Sequence, residues 1–122
     1  MFILDTNILI LYFQGDVAVQ KWLDKQRARY ESLAISTLSV VELLSYPKMS
    51  SQEKTFIELL IRQLIVIDVD MTIARTAATL RSETNLKTID SVIAGTALAF
   101  HAALITRDRA FLKLKKLIVI VP

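Results

Sequence analysis

Short runs of apolar residues alternate along this chain with longer segments of helical period, and this alternation limits the possible folds more than any other feature of the sequence. The apolar runs are Phe2 to Leu4, Leu33 to Ser36, Leu64 to Val69, Ala103 to Thr106 and Leu117 to Val121. Each run is too uniformly apolar for a strand with one face in water, so the pattern predicts a parallel sheet covered on both faces. The segments predicted to be helices are Thr6 to Phe13, Val17 to Arg29, Thr37 to Tyr46, Gln52 to Gln63, Thr72 to Glu83 and Ile89 to His101. The chain is therefore predicted to form a single three-layer α/β/α domain over residues 1–122, with a central five-stranded parallel sheet.

The composition limits the kinds of site that the chain can build. It contains no cysteine, which excludes disulfides, thiolate metal sites and cysteine nucleophiles and favours a reducing compartment. No signal segment and no apolar run of membrane-spanning length is present, so we expect a soluble cytoplasmic protein. The net charge of +3 suits a polyanionic partner, but an ordinary basic surface has the same charge. The hydrophobic share of 53% predicts that a protein partner, either a second copy or another chain, covers some apolar surface.

Four of the twelve acidic residues stand where a solvated charge is not expected. Asp5 interrupts the first apolar run in MFILDTNILI, and Asp108 follows the fourth run in ALITRD. Glu42 has two large apolar residues on each side, and Asp90 opens an apolar helix. Taken alone, each could be a helix cap, a first-turn acid or a partly exposed or Arg-paired glutamate. Ligands of a parallel sheet bind beyond the carboxyl ends of its strands, and one acidic pocket at that edge would account for all four residues.

An acidic pocket of this kind requires a cation, because four neighbouring carboxylates otherwise repel each other and become partly protonated. Oxygen ligands without His or Cys select hard divalent ions, so the predicted metal is Mg²⁺ or Mn²⁺. Such an ion can activate water and bind the oxygens of a phosphodiester during hydrolysis. Four polar residues are placed to orient the carboxylates, although each could equally be a capping or turn residue: Thr6, Asn7, Ser91 and Thr106.

Basic residues flank the predicted pocket on both sides in the sequence. They are Lys87, Arg107, Arg109, Lys113, Lys115 and Lys116. One interpretation is a solvated basic face near the C-terminus. The other places Lys87, Arg107 and Arg109 near a scissile phosphate, where they would bind a phosphate backbone without reading its sequence.

The four acidic segments together resemble the PIN domain, and most of all the VapC-type toxins of bacterial and archaeal toxin–antitoxin operons. The matching segments are Asp-Thr-Asn after the first strand, Ser-x-x-x-x-x-Glu-Leu-Leu around Glu42, Asp-Ser-x-Ile-Ala-x-Thr-Ala from Asp90, and Thr-Arg-Asp ending at Asp108. Each motif is short, but four in this order and spacing over nearly the whole chain are specific. The resemblance implies a sheet of strand order 3-2-1-4-5, with Asp5, Glu42, Asp90 and Asp108 as catalytic and metal-binding residues.

The same resemblance implies the activity and the partners. It predicts Mg²⁺- or Mn²⁺-dependent cleavage of RNA, a homodimer and a cognate antitoxin protein. Two other functions stay open at this point. A phospho-receiver shares the parallel sheet and the acidic pocket, but it needs a Lys after the last strand, where this chain has Val121 and Pro122. A PIN-like RNA-binding or ribosome-maturation module would have the same fold with slow cleavage or none.

Overall fold

The five apolar runs form the strands of one sheet in the computed structural model, which describes residues 1–122. The strands are β1 (Phe2–Leu4), β2 (Leu33–Ser36), β3 (Ile65–Ile67), β4 (Ala103–Ile105) and β5 (Val119–Ile120). Their order is β3-β2-β1-β4-β5, and every neighbouring pair is parallel. The predicted parallel sheet and its strand order are confirmed.

Six helices connect the strands and cover the sheet. They are α1 (Thr6–Phe13), α2 (Val17–Ala28), α3 (Thr37–Leu44), α4 (Ser51–Arg62), α5 (Met71–Glu83) and α6 (Thr88–Ala99). A short 3₁₀ helix, Arg109–Lys113, follows β4 and is not predicted by the sequence pattern. None of the helices combines the length and the apolar character needed to cross a membrane.

Successive residues of the central strands face two separate hydrophobic cores, because side chains alternate between the faces of a sheet. Ile3 and Leu104 lie in the core formed with α5, α6 and Phe111 of the 3₁₀ helix. Leu4 and Ile105 lie in the core that α1 to α4 cover on the other face. The chain therefore has three layers, with the sheet in the middle.

The strand β3 is less buried than the sequence predicts. It lies at one edge of the sheet, and its side chains Ile65 and Val66 are 47% and 39% exposed. The prediction that every apolar run is covered on both faces is therefore wrong for this strand. Apolar side chains on an edge strand are surface that a protein partner could cover.

The helices α5 and α6 approach each other closely at Gly95. A Cβ atom at this position would lie 3.2 Å from the backbone nitrogen of Ala77 and 3.3 Å from the carbonyl oxygen of Ile73. Both distances are tighter than ordinary van der Waals contact. The glycine thus permits the close packing of α5 against α6, the helix that carries Asp90.

Candidate active site

The four predicted carboxylates reach one edge of the sheet from four different elements. Asp5 directly follows β1, and Asp108 lies just beyond β4, the parallel neighbour of β1. Glu42 lies on α3, and Asp90 lies in the first turn of α6. An open pocket of about 460 Å³ is lined by Asn7, Glu42, Lys87, Thr88, Ile89, Asp90 and Asp108. The Asp5 side chain is buried, only 4% exposed, and interacts electrostatically with Asp90 and Asp108.

Asp5 is held by a hydrogen bond from the end of the neighbouring strand. Thr106 Oγ1 donates to Asp5 Oδ2 at 2.7 Å, and the backbone N–H of Asp108 donates to Thr106 Oγ1 at 3.0 Å. Asp5 occupies the N-cap position of α1, but its side chain makes no capping hydrogen bond. The helix-cap alternative therefore does not account for a buried carboxylate at this position.

Glu42 is held by a residue of α1. Thr6 Oγ1 donates to Glu42 Oε1 at 2.6 Å and lies 3.0 Å from Ser39 Oγ. The only ion pair of the structure joins Arg107 to Asp16, so the alternative of an Arg-paired glutamate does not apply. Ser39, which is fully buried, is not among the predicted orienting residues. Its spacing of three residues from Glu42, which places both on one helix face, could have indicated it.

Asp90 and Asp108 also have the structural roles that were the alternatives to a metal site, a first-turn acid and a helix cap. Asp90 lies in the first turn of α6, where a carboxylate interacts favourably with the helix dipole. Asp108 Oδ1 accepts a hydrogen bond of 2.9 Å from the backbone N–H of Ala110 and so caps the 3₁₀ helix. Both residues nevertheless line the acidic pocket, so these structural roles do not exclude a function there.

The pKa values show that the carboxylates act on one another. Burial raises the pKa of Asp5 from 3.8 to about 6; the Thr106 hydrogen bond opposes this rise, and the charges of Asp90 and Asp108 add to it. Burial also raises the pKa of Asp90, as do the charges of Asp108 and Glu42. Each of the four groups thus interacts with at least one other, and together they form a single electrostatic cluster.

The chemistry of this cluster fits a hard divalent cation. Its ligands would be carboxylate oxygens, the donors that Mg²⁺ and Mn²⁺ prefer. No three Asp, Glu or His side chains already stand in positions that could hold a metal ion. Ion binding would therefore require the carboxylates to move closer together.

The four predicted orienting residues have different positions. Thr6 and Thr106 donate hydrogen bonds to Glu42 and Asp5, as described above. Asn7 is exposed and lines the acidic pocket. Ser91 is buried, and its Oγ donates to the carbonyl oxygen of Thr88 at 2.6 Å. This hydrogen bond stabilises the first turn of α6 and does not orient a carboxylate.

The three predicted RNA-binding residues differ in whether their charge is already paired. Lys87 is exposed and lines the acidic pocket. Arg107 pairs with Asp16 through two hydrogen bonds of 2.8 and 2.9 Å, and its Nε donates to the carbonyl oxygen of Pro122 at 3.1 Å. Arg109 is exposed at the start of the 3₁₀ helix and makes no ion pair. Lys87 and Arg109 are thus accessible to a phosphate, whereas the guanidinium of Arg107 is already paired.

The fold recurs in proteins of known structure. The family model described as PIN domain matches residues 2–117. A toxin–antitoxin complex from Klebsiella pneumoniae contains a chain of 27% identity with a TM-score of 0.82, covering 98% of this chain and 96% of that chain. VapBC2 from Rickettsia felis, bound to a DNA fragment from its promoter, gives 24% identity and a TM-score of 0.86 over 98% and 97% of the two chains. DNA-bound VapBC from Salmonella typhimurium gives 22% identity and a TM-score of 0.85 over 98% and 96%. No curated protein matches the sequence significantly.

Proposed function

The chain belongs to the PIN domain family, and on this premise we propose that it is a metal-dependent endoribonuclease, the toxin of a type II toxin–antitoxin pair. The proposed reaction is hydrolysis of an RNA phosphodiester bond in the presence of Mg²⁺ or Mn²⁺. The observation that carries the proposal is the electrostatic cluster of Asp5, Glu42, Asp90 and Asp108 at the carboxyl edge of the sheet.

In the proposed mechanism the four carboxylates would hold the ion, and the surrounding groups orient these carboxylates. Such an ion, when bound, activates water and neutralises charge on phosphate oxygens. The Thr6 hydroxyl fixes the Glu42 carboxylate, and the Thr106 hydroxyl fixes the Asp5 carboxylate. The Lys87 ammonium at the pocket would bind a nonbridging oxygen of the scissile phosphate and orient the strand.

The observed sheet separates this proposal from the phospho-receiver alternative. Receiver sheets have the strand order 2-1-3-4-5, whereas the order here is 3-2-1-4-5. The alternative of an RNA-binding module without cleavage shares the PIN fold, so the sheet does not exclude it. Three of the carboxylates line one open pocket, and the fourth, the buried Asp5, interacts electrostatically with Asp90 and Asp108, which favours cleavage over binding alone.

The protein partners belong to the same proposal. Similar chains occur in toxin–antitoxin complexes, and this chain exposes apolar side chains that a partner could cover. A cleft of about 180 Å³ is lined by Tyr12, Arg27, Phe56, Leu59, Leu60 and Gln63. We assign this cleft to an apolar helix of a cognate antitoxin. The proposed homodimer and cytoplasmic location rest on the resemblance to VapC-type toxins and on the absence of cysteine.

Cleavage of RNA by the purified chain tests the proposed function. RNA should be cut in Mn²⁺ or Mg²⁺ and left intact in excess EDTA. Asp90→Asn should slow cleavage at least about a hundredfold, because a metal site contributes several kcal/mol to the transition state. The matched control is Asp24→Asn, an exposed carboxylate on α2, which should cut at the parent rate. Full cleavage in EDTA, or by Asp90→Asn, would exclude this mechanism.

A further inference from the structure

Two further cavities form a groove along the connection between α5 and α6. Their volumes are about 80 and about 290 Å³. Thr84, Lys113 and Leu114 line both cavities, so the two are adjacent. One wall of this groove is the α5–α6 connection, and the other is the 3₁₀ helix with the residues that follow it.

The groove also lies beside the acidic pocket at two points. On the first wall, Leu86 lines the smaller cavity and the next residue, Lys87, lines the acidic pocket. On the second wall, Ala110 lines the smaller cavity, and its backbone N–H donates to Asp108 of the acidic pocket. The smaller cavity therefore lies next to the acidic pocket, and the larger cavity adjoins the smaller one.

The end of the groove remote from the carboxylates is basic. Lys113, Lys115 and Lys116 line the larger cavity together with a single acid, Glu83, which gives three positive charges against one negative charge. The three lysines are exposed, and none forms an ion pair. Unpaired ammonium groups along a groove are the arrangement that binds a phosphate backbone.

The floor of the larger cavity is aliphatic. Leu80, Leu98 and Leu114 form it, and no aromatic ring lines either cavity. An apolar floor beneath a basic rim suits single-stranded nucleic acid, which combines flat apolar base faces with charged phosphates. Because these leucine side chains carry no hydrogen-bonding groups, we expect the floor to discriminate little between bases.

We propose that this groove binds the single-stranded RNA segment that adjoins the scissile phosphate, with its backbone on Lys113, Lys115 and Lys116. The inference rests on the proposed function, since it assigns a path to the substrate that the acidic pocket would cut. An acidic protein segment would also satisfy the lysines. It would not explain why the groove lies beside the pocket where the scissile phosphate must lie.

The test compares two pairs of lysine substitutions. The first variant, Lys115→Gln with Lys116→Gln, removes two charges of the groove. The matched control, Lys25→Gln with Lys54→Gln, removes two exposed lysines from α2 and α4 on the other face of the sheet. Each pair is placed in an Asp5→Asn background so that RNA stays intact during binding measurements.

The binding probe is a fluorescent single-stranded RNA of mixed sequence and about 16 nucleotides, titrated between about 50 and 200 mM salt. Loss of two phosphate contacts should reduce the slope of log K against log salt by about 1.4 and weaken binding at least about tenfold at low salt. The control pair should match its Asp5→Asn parent. In Mn²⁺, with Asp5 intact, the groove variant should show a raised KM for RNA and an unchanged kcat.

The outcomes separate this inference from the proposed function. If the unsubstituted chain cuts RNA and the groove pair has the slope and KM of the control pair, the RNA path is wrong and the nuclease proposal stands. If the groove pair loses binding to a polyglutamate peptide but not to RNA, the groove belongs to an acidic protein segment and the inference fails. If the unsubstituted chain neither binds nor cuts RNA, both proposals fail.

Discussion

Replacement of Asp5 by Asn should stabilise the metal-free protein at neutral pH, although it removes a residue that we place at the centre of the site. Burial is the main cause of the raised pKa of Asp5, about 6 in the folded chain against 3.8 otherwise. This difference corresponds to a cost of about 3 kcal/mol for keeping Asp5 ionised in the fold. Asn has nearly the same shape, carries no charge, and can accept the Thr106 hydrogen bond through its amide oxygen.

The gain in stability should be smaller than the full cost of keeping Asp5 ionised in the fold. The new amide N–H groups replace a carboxylate oxygen, and an imperfectly paired buried donor costs about 1 to 2 kcal/mol. We therefore expect Asp5→Asn to raise the free energy of unfolding by about 1 to 2 kcal/mol at neutral pH. A Leu or Ala substitution would not test the point, because it would also change the packing of a buried position.

The pH dependence of this difference in stability identifies the charge of Asp5 as its cause. Because the folded pKa of Asp5 is raised, its destabilising effect is absent below the unfolded value of 3.8, grows as the pH rises, and is complete above about 6. The advantage of Asp5→Asn should therefore disappear at acid pH. Asp16→Asn is the control of opposite sign, because the Arg107 hydrogen bond lowers the pKa of Asp16. That variant should lose stability at neutral pH and approach the parent as the pH falls.

Urea unfolding in EDTA at acid and at neutral pH measures these differences. The single tryptophan, Trp22, is a suitable fluorescent probe, because it packs edge-to-face on Phe2 with ring centroids 5.3 Å apart. Addition of Mn²⁺ should stabilise the parent by mass action and stabilise Asp5→Asn less. An equal loss of stability at both pH values, with no response of either protein to Mn²⁺, would refute the argument and make Asp5 a purely structural residue.

The contacts of the arginines and of Gly95 give two further predictions. Arg107→Gln should lower the melting temperature slightly, because Arg107 pairs with Asp16, whereas Arg109→Gln should leave the melting temperature unchanged and weaken RNA binding. Melting curves and RNA titrations of both variants check this, and a larger stability loss at Arg109 would contradict it. Gly95→Ala should destabilise the fold by about 1 to 2 kcal/mol in urea titrations, because overpacking outweighs the gain in helix propensity of about 1 kcal/mol. The clash is with the backbone nitrogen of Ala77, and an unchanged stability would show that α5 can move away.

The central part of the fold could be predicted from local sequence. The bounds of β1, β2 and α1 agree with their patterns, because the two strands are otherwise apolar and a polar residue, Asp5 or Ser36, marks where each one ends. The exposure of Ile65 and Val66 could not be predicted in this way. Their strand has the same apolar character as the central strands, and only the order of strands places it at an edge. That order followed from the family resemblance, since periodicity does not determine it.

Part of the candidate site could likewise be predicted from local sequence, and part could not. The neighbouring residues in the sequence were enough to select Asp5, because a carboxylate inside an apolar run is unusual in any fold. Its hydrogen bond with Thr106 joins residues 101 positions apart, and the pair between Arg107 and Asp16 joins residues 91 positions apart. No local pattern indicates such pairs. The sequence therefore favoured Arg107 as an RNA-binding residue, and its pairing with Asp16 became visible only in the fold.

The position of β1 between β2 and β4 also determines when the acidic pocket can form during synthesis. β1 is the first strand to be made, whereas β4 begins at Ala103. Until β4 inserts beside β1, Asp5 has neither its hydrogen bond from Thr106 nor Asp108 nearby. A nascent chain that has not yet reached β4 therefore lacks a complete pocket. The nuclease that we propose would stay inactive toward the ribosome and messenger RNA that produce it until β4 and the residues that follow it have emerged.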